Sequence, residues 1–274
     1  MFISERIGYW LARYLSKPRD ETVNIATSRP ELLRKTLRKG DVLLVEGTSR
    51  ISTTIKYLTQ STWSHAALYI GKEEAATIHS ASTSADYSGE LPVLIEADVL
   101  EGVRVVPLSM YSHLHTRICR PVGLSAEEVD EVVRFARSRI GQHYDLKNIF
   151  DLARYLVTVP PIPTYWRRYF LQLGSGDPTK AICSSLIAQA FQSMNYPILP
   201  RVSKITWQDK RGRVRTEEVL HRRDPSLYVP RDFDVSPYFR VVKPAIEQGF
   251  DPHNLTWARS EQGDRPLPEF DLEN

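Results

Sequence analysis

Between residues 41 and 120 the chain runs through six short apolar segments, with no long helix expected between them. They are 41–46, 64–70, 75–80, 93–97, 103–108 and 116–120, bounded by Gly, Pro or polar turn formers. Runs of this length between breakers read as strands. Strands that follow one another without a crossover helix pair antiparallel, since a parallel partner needs a connection of about a dozen residues or more. Helical patterning resumes at Ser125, an N-cap with Glu128 at the capping-box position. Val129, Val132, Val133, Ala136 and Ile140 then form one stripe, ended by Gly141. A second amphipathic helix starts near Ile182, with Leu186, Ala190, Phe191 and Met194 at helical spacing. The expected fold class is α+β, an antiparallel sheet packed against helices.

A chain of 274 residues can hold one large domain with extensions. The expected division is an N-terminal amphipathic helix and linker (1–37), a domain over 38–243 and a polar tail over 244–274. Within 1–19, Ile3, Ile7, Trp10, Leu11, Tyr14 and Leu15 share a face, and Arg6, Arg13, Lys17 and Arg19 lie outside it. Two readings fit this segment: a helix packed on its own domain, or one resting on an anionic membrane. Residues 146–173 are an apolar and aromatic insertion interrupted by Pro160-Pro-Ile-Pro163. They read as packed helices broken by prolines, or as an apolar wall over an acyl-binding groove. Residues 204–208 and 213–219 alternate around Asp209-Lys-Arg-Gly212, a hairpin signal.

Composition removes several function classes. No run approaches the ~20 apolar residues needed to cross a bilayer. Two cysteines cannot build a disulfide framework, and no signal-like run follows Met1, which together fit a reducing cytoplasm. The net charge of +3 is too small to imply nucleic acid as a partner. Gly-x-Ser-x-Gly and the phosphate-binding Gly-x-x-x-x-Gly-Lys-Ser/Thr motif are absent. His113-x-His115 offers two imidazoles but no completing ligands, so no metal or other cofactor is called for. Lys210, Arg211, Arg213, Arg215, Arg222 and Arg223 form a basic neighbourhood, either a solvated face or a contact for an anionic lipid or wall polymer.

The candidate chemistry centres on Cys183, in the first turn of its helix. Free backbone N–H groups and the positive dipole end favour a thiolate there, although a small buried hydrophobe is the plainer reading. A cysteine nucleophile needs a base, and the base needs an orienting partner. His65 opens the strand Trp63-Ser-His-Ala-Ala-Leu-Tyr-Ile-Gly71, where alternation sets it on one face with Ala67 and Tyr69. Glu96 stands alone inside the apolar Val93-Leu-Ile-Glu-Ala97. It is a partner for His65 if the two strands adjoin, or a strand-end carboxylate in solvent if they do not. Should 75–80 be the adjoining strand, Thr77 or His79 would take that place.

The pieces Gly40-Asp-Val-Leu-Leu44, Trp63–Gly71, Leu94-Ile-Glu-Ala97, Gly141-Gln-His-Tyr-Asp145, Ala181-Ile-Cys-Ser-Ser-Leu186 and Pro230-Arg-Asp-Phe-Asp-Val-Ser-Pro237 form an ordered set. That set resembles the circularly permuted NlpC-type papain-like cysteine hydrolases of the YiiX/YebB-like group. His65 precedes Cys183 by 118 residues, the order that permutation gives. The resemblance implies a Cys183 nucleophile, a His65 base and a Glu96 orienter. It also implies Tyr144, Ser184 and Trp63 around the substrate and oxyanion, with the Cys183 backbone N–H as one donor. The implied reaction is two-step transfer of an acyl group from an amide, ester or thioester, on a peptide-containing or lipid substrate. A non-catalytic, membrane-associated binding module on the same scaffold is the rival reading.

Overall fold

Val42-Leu-Leu-Val45 is buried along its whole length, as a strand covered on both faces must be, and it forms β1 at the middle of the sheet. The computed structural model describes residues 26, 28–81, 90–91, 93–142, 182–208 and 211–255. Residues 1–19, Tyr144, the 146–173 insertion and the tail beyond 255 lie outside them. The sheet also contains β2 (His65–Tyr69), β3 (Leu94–Asp98), β4 (Gly102–Val106), β5 (Thr116–Pro121) and, later in the chain, β8 (Phe239–Val242). Its order is β4-β3-β2-β1-β5-β8, with every pairing antiparallel. The first four strands are the expected meander, and β5 returns to the free side of β1.

One expected strand is a helix. Residues 75–80 lie within Lys72–Ala81 (α3, after α1 at Pro30–Thr36 and α2 at Arg50–Thr59). Gly71, at φ +84°, ends β2. Glu73 and Glu74 then complement the positive end of the helix dipole. Ala75 and Ile78, three residues apart, supply the buried side of the helix. Thr77 and the strand position proposed for His79 are thereby removed from consideration as sheet partners of His65, and β3 is the strand next to β2. The Ile70 N–H donates to the Val93 carbonyl at 3.0 Å. Further along, the ladder has only two pairs, Leu68–Ile95 and Tyr69–Leu94, so the strands are unpaired toward His65 and Glu96.

After α4 (Ser109–Ser112), α5 (Ala126–Arg137) begins with the capping box read from the sequence: Glu128 N–H donates to Ser125 Oγ, and Ser125 N–H to Glu128 Oε2. Helix α6 (Ile182–Ser193) packs on β2, β3 and α5 through Leu186, Ile187, Ala190 and Phe191, all fully or almost fully buried. Phe191, Phe239 and Tyr196 meet edge to face or tilted, with centroids 5.1–5.6 Å apart. Gly40 fits where a side chain would not: its φ is +87°, and a Cβ would lie 2.8 Å from Val129 Cγ1. Next to it, buried Asp41 receives Arg120 through two hydrogen bonds of 2.8 Å.

The hairpin expected from the sequence is present as β6 (Arg201–Gln208) and β7 (Val214–His221), a sheet of its own. Helix α7 (Pro230–Asp234) precedes β8, and α8 (Pro244–Glu247) follows it. Among the described residues, no helix is long and apolar enough to cross a membrane.

Candidate active site

Glu96 is wholly buried on β3. An isolated carboxylate there would be driven to its neutral form, and this one is surrounded by donors instead. His65 Nε2 lies 2.7 Å from Oε2, which also accepts the Tyr111 hydroxyl. Arg104 Nε and Nη2 each lie 2.9 Å from Oε1. Burial alone would raise the carboxyl pKa, but the His65 and Arg104 charges and the hydrogen bonds from His65 and Tyr111 bring it down to about 2. Glu96 is therefore an acceptor only, and the His65 Nε2 in contact with it carries a proton. The exchangeable ring position is Nδ1.

His65 is held from two sides. Burial pushes its pKa down, but negative charge on Cys183 and on Glu96, with hydrogen bonds to both, raises it well above 6.5. The sulfur and the imidazole, 118 positions apart, are thus brought close enough for charge on one to act on the other. Cys183 is buried, 5% exposed, at the second position of α6. The N–H groups of that first turn have no intrahelical acceptor. The Tyr111 ring tilts against the imidazole at 5.6 Å between centroids. Its hydroxyl pKa is raised well above 10, by burial first and then by the Glu96 charge, so it remains a donor to Glu96.

Arg104 and Tyr111 were not among the residues expected at the site. Arg104 had a signal, being a lone charge in Val103-Arg-Val-Val106 directly across the β3–β4 ladder from Glu96. Tyr111 had none, because its place depends on how a four-residue helix turns the chain toward β3.

Two expected residues have their side chains engaged elsewhere. The Ser184 side chain is fully buried, and its hydroxyl donates to the Tyr228 carbonyl at 2.6 Å. It ties α6 to the segment before α7 rather than facing an opening. Trp63 is 2% exposed. Its indole N–H donates to Asp234 at 3.0 Å, with Arg117 stacked 4.9 Å from the ring and His115 edge-on at 4.9 Å. Both substrate-side assignments are corrected on that ground, because neither side chain has a surface left for a ligand. His115 Nδ1 lies 3.1 Å from Glu46. Among the described residues no group of three or more His, Cys, Asp or Glu is arranged to hold a metal. Cys119 is fully buried, and burial pushes its thiol pKa up.

An antiparallel sheet with a histidine and its carboxylate on neighbouring strands, and a cysteine brought against them by a helix N-terminus, is the arrangement of a permuted papain-like cysteine hydrolase. Residues 36–155 match the family model described as permuted papain-like amidase enzyme, YaeF/YiiX, C92 family, a match that supports an enzyme acting on acyl-amide bonds. The matched region contains His65 and Glu96 and ends before Cys183. The chain is also similar to a crystal structure described as metalloprotein YiiX from Escherichia coli O157:H7, at 15% identity and a TM-score of 0.42, over 75% of this chain and 96% of that one. No curated protein matches the chain.

Proposed function

We propose that Cys183 carries the acyl group as a thioester, with His65 as acid and base and Glu96 as its orienting partner. The observation that carries this reading is the His65 imidazole held at 2.7 Å by the buried Glu96 carboxylate and acted on by the Cys183 charge. The sulfur attacks the acyl carbonyl, and the backbone N–H of Cys183 stabilises the oxyanion, each such donor lowering the barrier by about 3 kcal/mol. The proton on His65 Nδ1 then goes to the leaving amine or alcohol. In the second step Nδ1 takes a proton from water or another acceptor as it attacks the thioester, and the thiolate is regenerated. Glu96 keeps its charge throughout and holds the proton on Nε2, while Arg104 and Tyr111 hold Glu96.

The substrate proposed is an acylated or lipid molecule rather than a wall peptide. The sequence of 146–173, aromatic and apolar, suits an acyl chain, and the basic, Trp- and Tyr-bearing 1–19 suits peripheral contact with the inner face of a membrane. Two free cysteines suit a reducing cytoplasm. Incubation with phospholipids and with muropeptides, followed by intact-protein mass measurement, tests both parts. An acyl adduct on Cys183 that is absent from Cys183→Ala supports the thioester. Turnover of muropeptides alone overturns the lipid preference, and no adduct with any substrate class leaves the binding module as the better reading.

A further inference from the structure

Among the described residues, the strands of the β6–β7 hairpin pair only with each other, and almost every residue along them is exposed. A lone two-stranded hairpin is marginal in water, and apolar side chains kept on its surface need a phase or partner to cover them. The register divides them between its two faces: Ile205 and Trp207 lie on one, Val202, Val214 and Leu220 on the other. All five are between 44% and 65% exposed. Charge is equally uneven. Between Arg201 and Arg223 stand eight Lys or Arg against three Asp or Glu, a net +5 in a chain whose total is +3. Glu217 and Glu218 lie at mid-strand, opposite Ile205 and Lys204, and Glu218 meets Lys204 at 3.7 Å. Arg211, Arg213 and Arg215 lie toward the tip, all exposed.

We propose that this arm docks the protein on an anionic phospholipid bilayer, its tip entering at headgroup level. The arginines would meet the negative surface, and Trp207, with Ile205 and Val214, would bury against the acyl boundary where amphipathic rings are favoured. Apolar groups on both faces select a bilayer over the alternatives. A bilayer encloses an inserted tip from both sides, whereas a protein partner covers one face or one edge. Single-stranded nucleic acid binds by successive base stacking, and the hairpin strands offer one aromatic ring and aliphatic neighbours that cannot stack. This docking stands independently of the chemistry assigned to Cys183.

The test uses the full chain and vesicles of phosphatidylcholine, with and without phosphatidylglycerol. Expected are co-sedimentation with the phosphatidylglycerol vesicles only, weakening with salt, and a blue shift of tryptophan emission that disappears in Trp207→Phe. Replacing Arg211, Arg213 and Arg215 together by Ser lowers partitioning roughly a hundredfold, with circular dichroism unchanged. If that variant does not fold, Arg213→Gln alone is expected to lower it about fivefold. Partitioning that ignores these substitutions places any membrane contact elsewhere in the chain and overturns the proposal. Absence of binding, equal binding to neutral and anionic vesicles, or preference for single-stranded DNA at the same salt overturns it equally.

Discussion

Replacing Glu96 by Gln keeps the shape of the side chain and removes only its charge, so it isolates what that charge does. The amide has one acceptor oxygen and one donor nitrogen. Arg104 can only donate, and it approaches one carboxylate oxygen with both Nε and Nη2 at 2.9 Å, so the amide oxygen must face Arg104. The NH2 group is then turned toward His65 and Tyr111, and Nε2 of the imidazole becomes an acceptor. The imidazole is then neutral with its one proton on Nδ1, the position that has to take up a proton from Cys183 or the attacking water. The corresponding loss of tautomer control in serine-protease triads lowers kcat about 10⁴-fold, and a fall of about 10³–10⁴ in kcat is expected here. Stability falls as well. Holding the Glu96 carboxyl at about 2 rather than 4.5 is worth about 3 kcal/mol at neutral pH, with no discount for screening because the group is 1% exposed. Arg104 keeps Glu101 at 2.6 Å, so its own loss is limited. The assay is kcat with an activated ester, paired with iodoacetamide labelling of Cys183 across pH. In the natural protein the raised His65 pKa keeps labelling flat through neutrality; in Glu96→Gln it should climb with pH. A variant that keeps kcat within about threefold and a flat labelling profile refutes the tautomer argument.

Three other outcomes follow from the same geometry. Cys183 should label with iodoacetamide much faster than Cys119, which is sealed in the sheet with its thiol pKa pushed up, and His65→Ala should slow Cys183; equal rates at the two sulfurs, read by peptide mass, would count against an activated thiol. Glu96, with its folded pKa depressed, contributes stability that is complete above its unfolded value of 4.5 and is lost as pH falls toward about 2. The urea midpoint of the natural protein should therefore approach that of Glu96→Gln between pH 5 and pH 3, and a constant gap would contradict the assignment. Gly40→Ala should cost about 3 kcal/mol, combining a left-handed backbone with a 2.8 Å clash on Val129, while Gly123→Ala, at φ +84° with open space around it, should cost about 1 kcal/mol; similar urea shifts for the two would remove the packing part of the argument.

Much of this site could be read from composition and spacing alone, for physical reasons that differ by residue. His65 and Cys183 sit on regular elements whose period fixes a direction, and Glu96 is conspicuous as one charge in an apolar strand. Residues 75–80 were open to misreading because a short run such as Ala75-Ala-Thr-Ile satisfies both periods. Only its flank, Gly71 and then Lys72-Glu-Glu74, carries the helical start. Arg104 and Tyr111 depend on cross-strand register and on a turn, neither of which one segment specifies. Ser184 and Trp63 came from the family resemblance alone, and in the folded chain their polar atoms are engaged by Tyr228 and Asp234.

The strand order also sets a sequence of events during synthesis. His65 and Glu96 leave the ribosome early, on adjacent strands of a local meander, and the Cys183 sulfur emerges long afterwards on a helix that must find β2 and β3. A nascent or truncated polypeptide lacking Ile182–Ser193 would possess an imidazole and a carboxylate but nothing to acylate. Competence is thereby tied to completion of long-range docking, and the appearance of a reactive thiol would serve as a clock for the last step of folding.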